Sequence, residues 1–155
     1  MMQMPPPAPE HTKLNALQGS WTADETIDPS PWDPKGGKAT AVVESRLDLD
    51  GFWLITDYVQ KRDGQVSYRG HGSFTWDREN NQYLMFWFDS MGMIARTPAK
   101  GRWDGNRLVF HQDSPMGQSR YTYEIQEGKY QFRIEHSQEG KAWSRFMDGT
   151  YTRKK

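Results

Sequence analysis

At 155 residues, with 20 basic and 20 acidic side chains in balance, the chain is the size of one domain and carries no net charge. That balance argues against a nucleic-acid or anionic-membrane surface, and the absence of cysteine excludes disulfides, thiolate catalysis and cysteine-bound metals. The 21 aromatics (seven each of Phe, Trp and Tyr) outnumber the 17 Leu, Ile and Val, so rings must build much of the core. Buried Trp and Tyr need hydrogen-bond partners, which suits a lined cavity better than a dry sandwich.

In chain order, Met1–Pro9 contains Pro5-Pro-Pro-Ala-Pro9 and reads as an extended leader, so residues 1–12 are set apart from a domain over 13–155. Within that scheme His11–Leu17 has room for one helical turn before Gly19. From Ser20 the chain reads as strands near 20–28, 38–49, 52–62, 65–77, 82–90, 93–103, 106–113, 117–127, 129–138 and 141–153. Asp50-Gly51, Asp63-Gly64 and Asp104-Gly105 are strong two-residue hairpin signals, because a type I′ turn needs φ > 0 at both positions. Met91-Gly92, Glu127-Gly128 and Glu139-Gly140 are weaker ones. Pro29–Gly37 is a Pro/Gly-rich loop holding Trp32. Arg153–Lys155 reads as a solvated tail. The longest apolar run, Leu84–Phe88, is far short of the roughly 20 residues a membrane helix needs. No apolar signal-peptide stretch follows the N-terminus, so a cytoplasmic location is expected.

Ten sequential strands joined mostly by tight turns, with no long helix, predict an all-β, single up-and-down antiparallel barrel, since closure hides every edge. Ten strands are wide enough to leave a cavity. A packed sandwich without a cavity is the alternative.

Two stretches resemble known barrels. Leu14-Asn-Ala-Leu-Gln-Gly-Ser-Trp21 is similar to the helical turn and Gly-x-Trp that open lipocalins and other calycins. Over a longer span the chain resembles the bacterial family called domain of unknown function 1579, through Pro9-Glu-His11, Leu17-Gln-Gly-Ser-Trp21, Glu44-Ser-Arg46, Gly70-His-Gly72, Trp76-Asp77, and Tyr83 with Trp87-x-Asp-Ser90. Typical members have Tyr where Trp76 stands. The resemblance implies a lipocalin-like barrel and no established activity. It also implies that Arg145 or Arg153 lies across Trp21 as a structural closure of the last strand on the first.

The turn signals set registers. If position 49 faces 52, 62 faces 65 and 77 faces 82, one row across four strands holds Arg46, Ile55, Gly72 and Trp87, and the next holds Glu44, Asp57, Gly70 and Asp89. A two-residue turn at Met91-Gly92 adds Arg96. Glu44, Arg46, Asp57, Trp87, Asp89 and Arg96 are therefore the candidate ligand-binding residues, with Gly70 and Gly72 leaving room and Phe74, Trp76, Tyr83 and Met85 continuing as an apolar wall. Turned inward, this paired cluster would anchor a ligand head group by charge-assisted bonds, similar to the interior arginines of fatty-acid-binding proteins. Turned outward, it would be ordinary cross-strand ion pairs, leaving Val43, Leu47, Leu49, Phe52, Leu54, Leu84, Phe86 and Phe88 as core. A single bulge reverses every assignment beyond it.

Other chemistry has less support. The four histidines (11, 71, 111 and 136) lack metal-ligand spacing, and no metal or catalytic residue is assigned. His136 alternates with Tyr130, Phe132 and Ile134, and because nitrobindin-like barrels resemble this architecture it is the one conceivable haem ligand; otherwise no cofactor is expected. No Gly-x-Ser-x-Gly elbow is present, and Ser90, Ser114 and Ser119 sit in turn-like contexts. The function expected is binding of a small, largely apolar molecule with a polar or anionic group. The expected partner is hydrophobic or amphipathic, without nucleic acid or a membrane span. The alternatives are an enzyme using carboxylates such as Asp57 and Asp89, and a homodimeric barrel joined through outward aromatics.

Overall fold

The computed structural model describes residues 3–154; Met1, Met2 and Lys155, part of the expected leader and tail, lie outside them. Ten antiparallel strands close in the order β1-β10-β9-β8-β7-β6-β5-β4-β3-β2. They are β1 (Gly19–Ile27), β2 (Gly37–Asp48), β3 (Trp53–Arg62), β4 (Gln65–Asp77), β5 (Gln82–Asp89), β6 (Ala99–Asp104), β7 (Arg107–Ser114), β8 (Gly117–Gln126), β9 (Lys129–Ser137) and β10 (Ser144–Arg153). Side-chain alternation along each strand gives the barrel an inner and an outer face. Trp21, Ala23, Glu25 and Ile27 of β1 are buried, as are Val43, Leu54, Phe74, Tyr83 and Phe110 on other strands. No helix among the described residues is long and apolar enough to cross a membrane.

One end is plugged. Helix α1 (Pro9–Lys13) and a 3-10 turn at Leu14–Leu17 bury His11, Leu14 and Leu17. Ring edges seat His11 on Phe52, with centroids 5.2 Å apart, and the Tyr83 hydroxyl donates to the Glu10 carbonyl over 2.8 Å. Residues 6–12 therefore belong to the barrel and not to a free leader: the Arg78 guanidinium also donates to the Pro6 carbonyl. Apolar burial of two leucines and an aromatic contact hold a segment whose prolines alone would leave it extended.

The barrel closes where the last strand meets the first, with Trp21 opposite Arg153. The Arg153 guanidinium lies 4.3 Å over the Trp21 ring and donates to the Gln18 carbonyl at 2.7 Å, while the Trp21 indole N–H donates to the Leu17 carbonyl. Gly19 sits beneath that guanidinium at φ 132°, where a Cβ would both strain the backbone and strike it. Arg145 has a different job, clasping the Asp28 carboxylate through two bonds of 2.7 and 2.9 Å.

Three expectations about connections change. The Asp50-Gly51 signal opens into a four-residue loop in which Leu49, Asp50 and Gly51 all have positive φ, yet Asp48 opposite Trp53 preserves the expected register. The β3–β4 hairpin starts in register, with Arg62 opposite Gln65, and then shifts by one residue between Gln60 and Lys61. Ser67 is the extra residue, and its hydroxyl donates to the Gln60 carbonyl and side-chain oxygen at 3.3 and 3.1 Å. Finally, the strand expected from residue 93 begins only at Ala99. Gly92 does make a turn with Asp89, but Pro98 lacks the N–H a ladder requires, and residues 90–98 cross the end of the barrel as a loop.

Candidate functional site

The bulge at Ser67 separates the residues that the sequence registers bring together. Before it, Glu44 pairs with Asp57 and Arg46 with Ile55, as expected; beyond it, Asp57 lies opposite His71 and not Gly70. Glu44, Arg46 and Asp57 consequently face outward. There Ser20 donates to Glu44, Arg46 reaches Asp48 and Asp57 at 3.4 and 3.5 Å, and His71 contacts Asp57 at 2.7 Å. With 55% of the Arg46 side chain exposed, these are surface pairs of under about 1 kcal/mol each. Arg96 lies exposed in loop 90–98 and is not paired beside Trp87, because β6 begins at Ala99 and meets β5 only through Tyr83, Leu84 and Met85. No inward Asp57–Asp89 pair exists for acid–base work.

Trp87 and Asp89 do face inward, opposite Gly72 and Gly70. The two glycines make room for the indole and not for carboxylates: a Cβ on Gly72 would come within 2.9 Å of Trp87 ring carbons. Phe74, Trp76, Tyr83 and Met85 line the same inner face. The Trp87 indole N–H donates to the Tyr68 hydroxyl at 2.6 Å, and Tyr68 donates to Asp89 Oδ2 at 2.9 Å. The other oxygen, Oδ1, accepts the Met91 backbone N–H at 3.0 Å. Burial, reinforced by the Asp89 carboxylate, raises the Tyr68 pKa well above that of free tyrosine, so Tyr68 stays a donor.

Burial is uneven around the interior. Toward the plug, Trp21, Leu54, Phe74, Tyr83, Leu108, Phe110, Tyr130 and Tyr151 are buried; Trp21 meets Tyr130 and Phe74 meets Phe110 edge to face, while Tyr130 stacks on Tyr151. Toward the opposite end the inward residues of β1, β2 and β10 are still buried. Those of β4, β5 and β7–β9 are only half-buried: Tyr68, Trp87, Asp89, Gln112, Tyr121, Phe132, Ile134 and His136. Water thus reaches one side of the inner wall from the unplugged end, the mouth, where Tyr68, Trp87 and Tyr121 lie beside Asp89. The inward rows of β4–β9 contain no Lys or Arg. His136 stands at the rim, its ring 5.3 Å from that of Trp32. Two wide-open depressions of about 510 and 290 Å³ lie on the outer side of β1–β3 and β10 among side chains such as Lys38, Lys61 and Thr150.

A second polar centre lies deeper. Glu25 is 1% exposed. Its Oε2 accepts from Tyr58 at 2.5 Å and from Tyr151, and its Oε1 accepts from Gln60 Nε2 at 3.0 Å. Every donor is neutral, and no ion pair involves Glu25 among the described residues. Burial, then the adjacent carboxylate, raises the Tyr58 pKa far above its ordinary value. The alternation Trp21-x-Ala23-x-Glu25-x-Ile27 carries the signal for this inward glutamate, and the sequence reading passed over it.

The family model described as protein of unknown function (DUF1579) matches residues 6–153, and the chain belongs to that family. Among solved structures it is similar to Rv2717c from M. tuberculosis, with a TM-score of 0.71 and 12% identity over 96% of this chain and 99% of that one. It is also similar to a point mutant of the fluorescent protein UnaG, with a TM-score of 0.60 and 14% identity over 92% of this chain and 99% of that one. At such identities the likeness is one of fold, a calycin-like barrel. Among curated proteins none matches the chain.

Proposed function

We propose that the open half of the barrel binds a small, largely apolar molecule that presents a hydrogen-bond donor or a positive charge to Asp89. The observation that carries this reading is the half-buried inner wall of Tyr68, Trp87 and Tyr121 beside the Asp89 carboxylate, continued by Phe132 and Ile134, with no inward Lys or Arg on β4–β9. Rings left accessible inside a barrel favour an apolar guest, and their faces attract cations. A carboxylate in such surroundings repels an anion. An anionic head group would have needed Arg46 or Arg96, which lie on the outer wall and in the β5–β6 loop. Each Asp89 oxygen accepts one hydrogen bond and keeps a lone pair for a ligand. Membership of a calycin-like fold, in which the lumen is a common ligand site, supports the same reading.

The test uses a ring-matched pair, naphthylmethylammonium and naphthoate, titrated calorimetrically. The ammonium should bind one-to-one and at least about tenfold more tightly than the carboxylate, a single charge-assisted contact's worth. Asp89→Asn should erase that preference, and Asp57→Asn, outside the barrel, should leave it intact. Saturable binding of neither probe, or equal affinity for both, would overturn the proposal.

A further inference from the structure

The barrel wall is laced incompletely at one place. β5 pairs with β6 only from Tyr83 to Met85, so Phe86–Asp89 have no ladder partner on that side. On the other flank, β7 pairs with β6 no further than His111 opposite Lys100, which leaves Gln112–Ser114 unpaired there. Loop 90–98 bridges this gap beside Trp87 and Asp89. It is tied to β4 by Ser90, which exchanges bonds with the Arg69 backbone at 2.8 and 2.9 Å, and to β7 by Gln112 Nε2 donating to the Thr97 carbonyl at 2.9 Å.

The loop turns its apolar side chains to water. Met93 is 67% and Ile94 89% exposed, Met91 is exposed beside them, and Phe88 and Met116 are exposed at the same end. So many large apolar groups at one end mark an interaction surface more often than bare solvent contact. Basic side chains flank them: Arg69, Arg96 and Lys100 are exposed and make no ion pair among the described residues, while the acids beside the loop are Asp89 at its start, bonded to the Met91 N–H, and Asp113 near the end of β7. The chain is neutral as a whole, but beside this loop three cations stand against two carboxylates.

We propose that this face docks on an anionic lipid bilayer, with Met93 and Ile94 entering the acyl boundary and Arg69, Arg96 and Lys100 meeting the head groups. Flexible apolar side chains flanked by cations fit that boundary, where hydrophobic burial and attraction to anionic lipid act together. The unlaced β5–β6 seam, bridged by the loop, lies on the same face. Docking does not require the ligand reading above, and vesicle binding tests it separately.

The full chain is floated on a density gradient with phosphatidylcholine vesicles, with and without phosphatidylglycerol. It should rise with the anionic vesicles, less with the neutral ones, and less at high salt. Met93→Ser with Ile94→Ser, and separately Arg96→Glu, should each weaken binding by about tenfold or more; Leu49→Ser, at the plugged end, should not. Circular dichroism confirms that each variant is folded. No flotation, or flotation indifferent to the loop substitutions, overturns the proposal. So does a dimer in light scattering that the loop substitutions dissociate, because the face would then belong to a second copy of the chain.

Discussion

Glu25 shows how much one side chain can demand of its surroundings. A buried carboxylate is tolerated only with strong donors, and this one is served by Tyr58, Tyr151 and Gln60, brought from β3 and β10 to β1. Charge-assisted bonds of this kind are roughly twice as strong as neutral ones. Glu25→Ala leaves the buried Tyr58 and Tyr151 hydroxyls without their acceptor, strips the Gln60 amide of one of its acceptors and opens a void, and should cost at least about 3 kcal/mol. Glu25→Gln keeps an acceptor for the tyrosines and lets the Gln60 amide turn over, so it should cost less than half as much. Guanidinium unfolding of both variants measures the difference, and an alanine variant as stable as the parent would refute the account. The sequence holds the alternation that turns Glu25 inward but not its partners, which lie 33 to 126 positions away. A lone acid in a strand is also more often solvent-facing.

At the scale of elements, the ten strands and their order are legible because turn residues and alternation agree along most of the chain. The candidate site was only half legible. Trp87 and Asp89 lie inward as their strand's alternation requires, but the bulge at Ser67 turned Glu44, Arg46 and Asp57 the other way, and Ser67 has no glycine or proline beside it to announce a bulge. The glycine of Met91-Gly92 gave a true turn and a false hairpin, since Pro98 stops the return strand. The plug was missed for a different reason: its helix is short, and what fixes it is tertiary. His11 is 3% exposed, its Nδ1 accepting the Ala8 N–H at 2.9 Å. Burial first, and then the Arg78 charge, push its pKa below the usual histidine value, with Glu10 opposing. A lowered folded value means that docking is at full strength above about pH 6.5 and weakens as pH falls through the folded pKa, where the unfolded chain takes up the proton more readily. Hydrogen exchange of the Glu10–Leu17 amides, corrected for intrinsic rates, should therefore speed up between about pH 7 and about pH 5 while the β2–β3 ladder stays protected. Unchanged protection of the plug would mean that the imidazole is free to protonate in place.

For the molecule as a whole, the same aromatic content does two jobs: rings seal the lumen toward the plug and line an accessible wall at the mouth. The sealed part has a signature in alkali. Tyr58, Tyr123, Tyr130 and Tyr151 all have pKa values raised, in each case chiefly by burial, and that of Tyr83 is pushed up to about 12. In the unfolded chain these phenols ionise near pH 10. Stability should thus be level up to about that pH and then decline, because the unfolded state sheds protons that the folded state keeps. Each such tyrosine contributes a slope of up to about 1.4 kcal/mol per pH unit, so four together approach roughly 5 kcal/mol per unit. Against a typical domain stability of about 5–15 kcal/mol, unfolding should follow within one to three pH units above that onset. Tyrosinate absorbance should then appear in one cooperative step that coincides with loss of the far-ultraviolet dichroism, and Tyr130→Phe should make the decline shallower. A gradual rise in tyrosinate near pH 10 with the dichroism intact would show that water reaches these hydroxyls, and that the lumen is open from end to end.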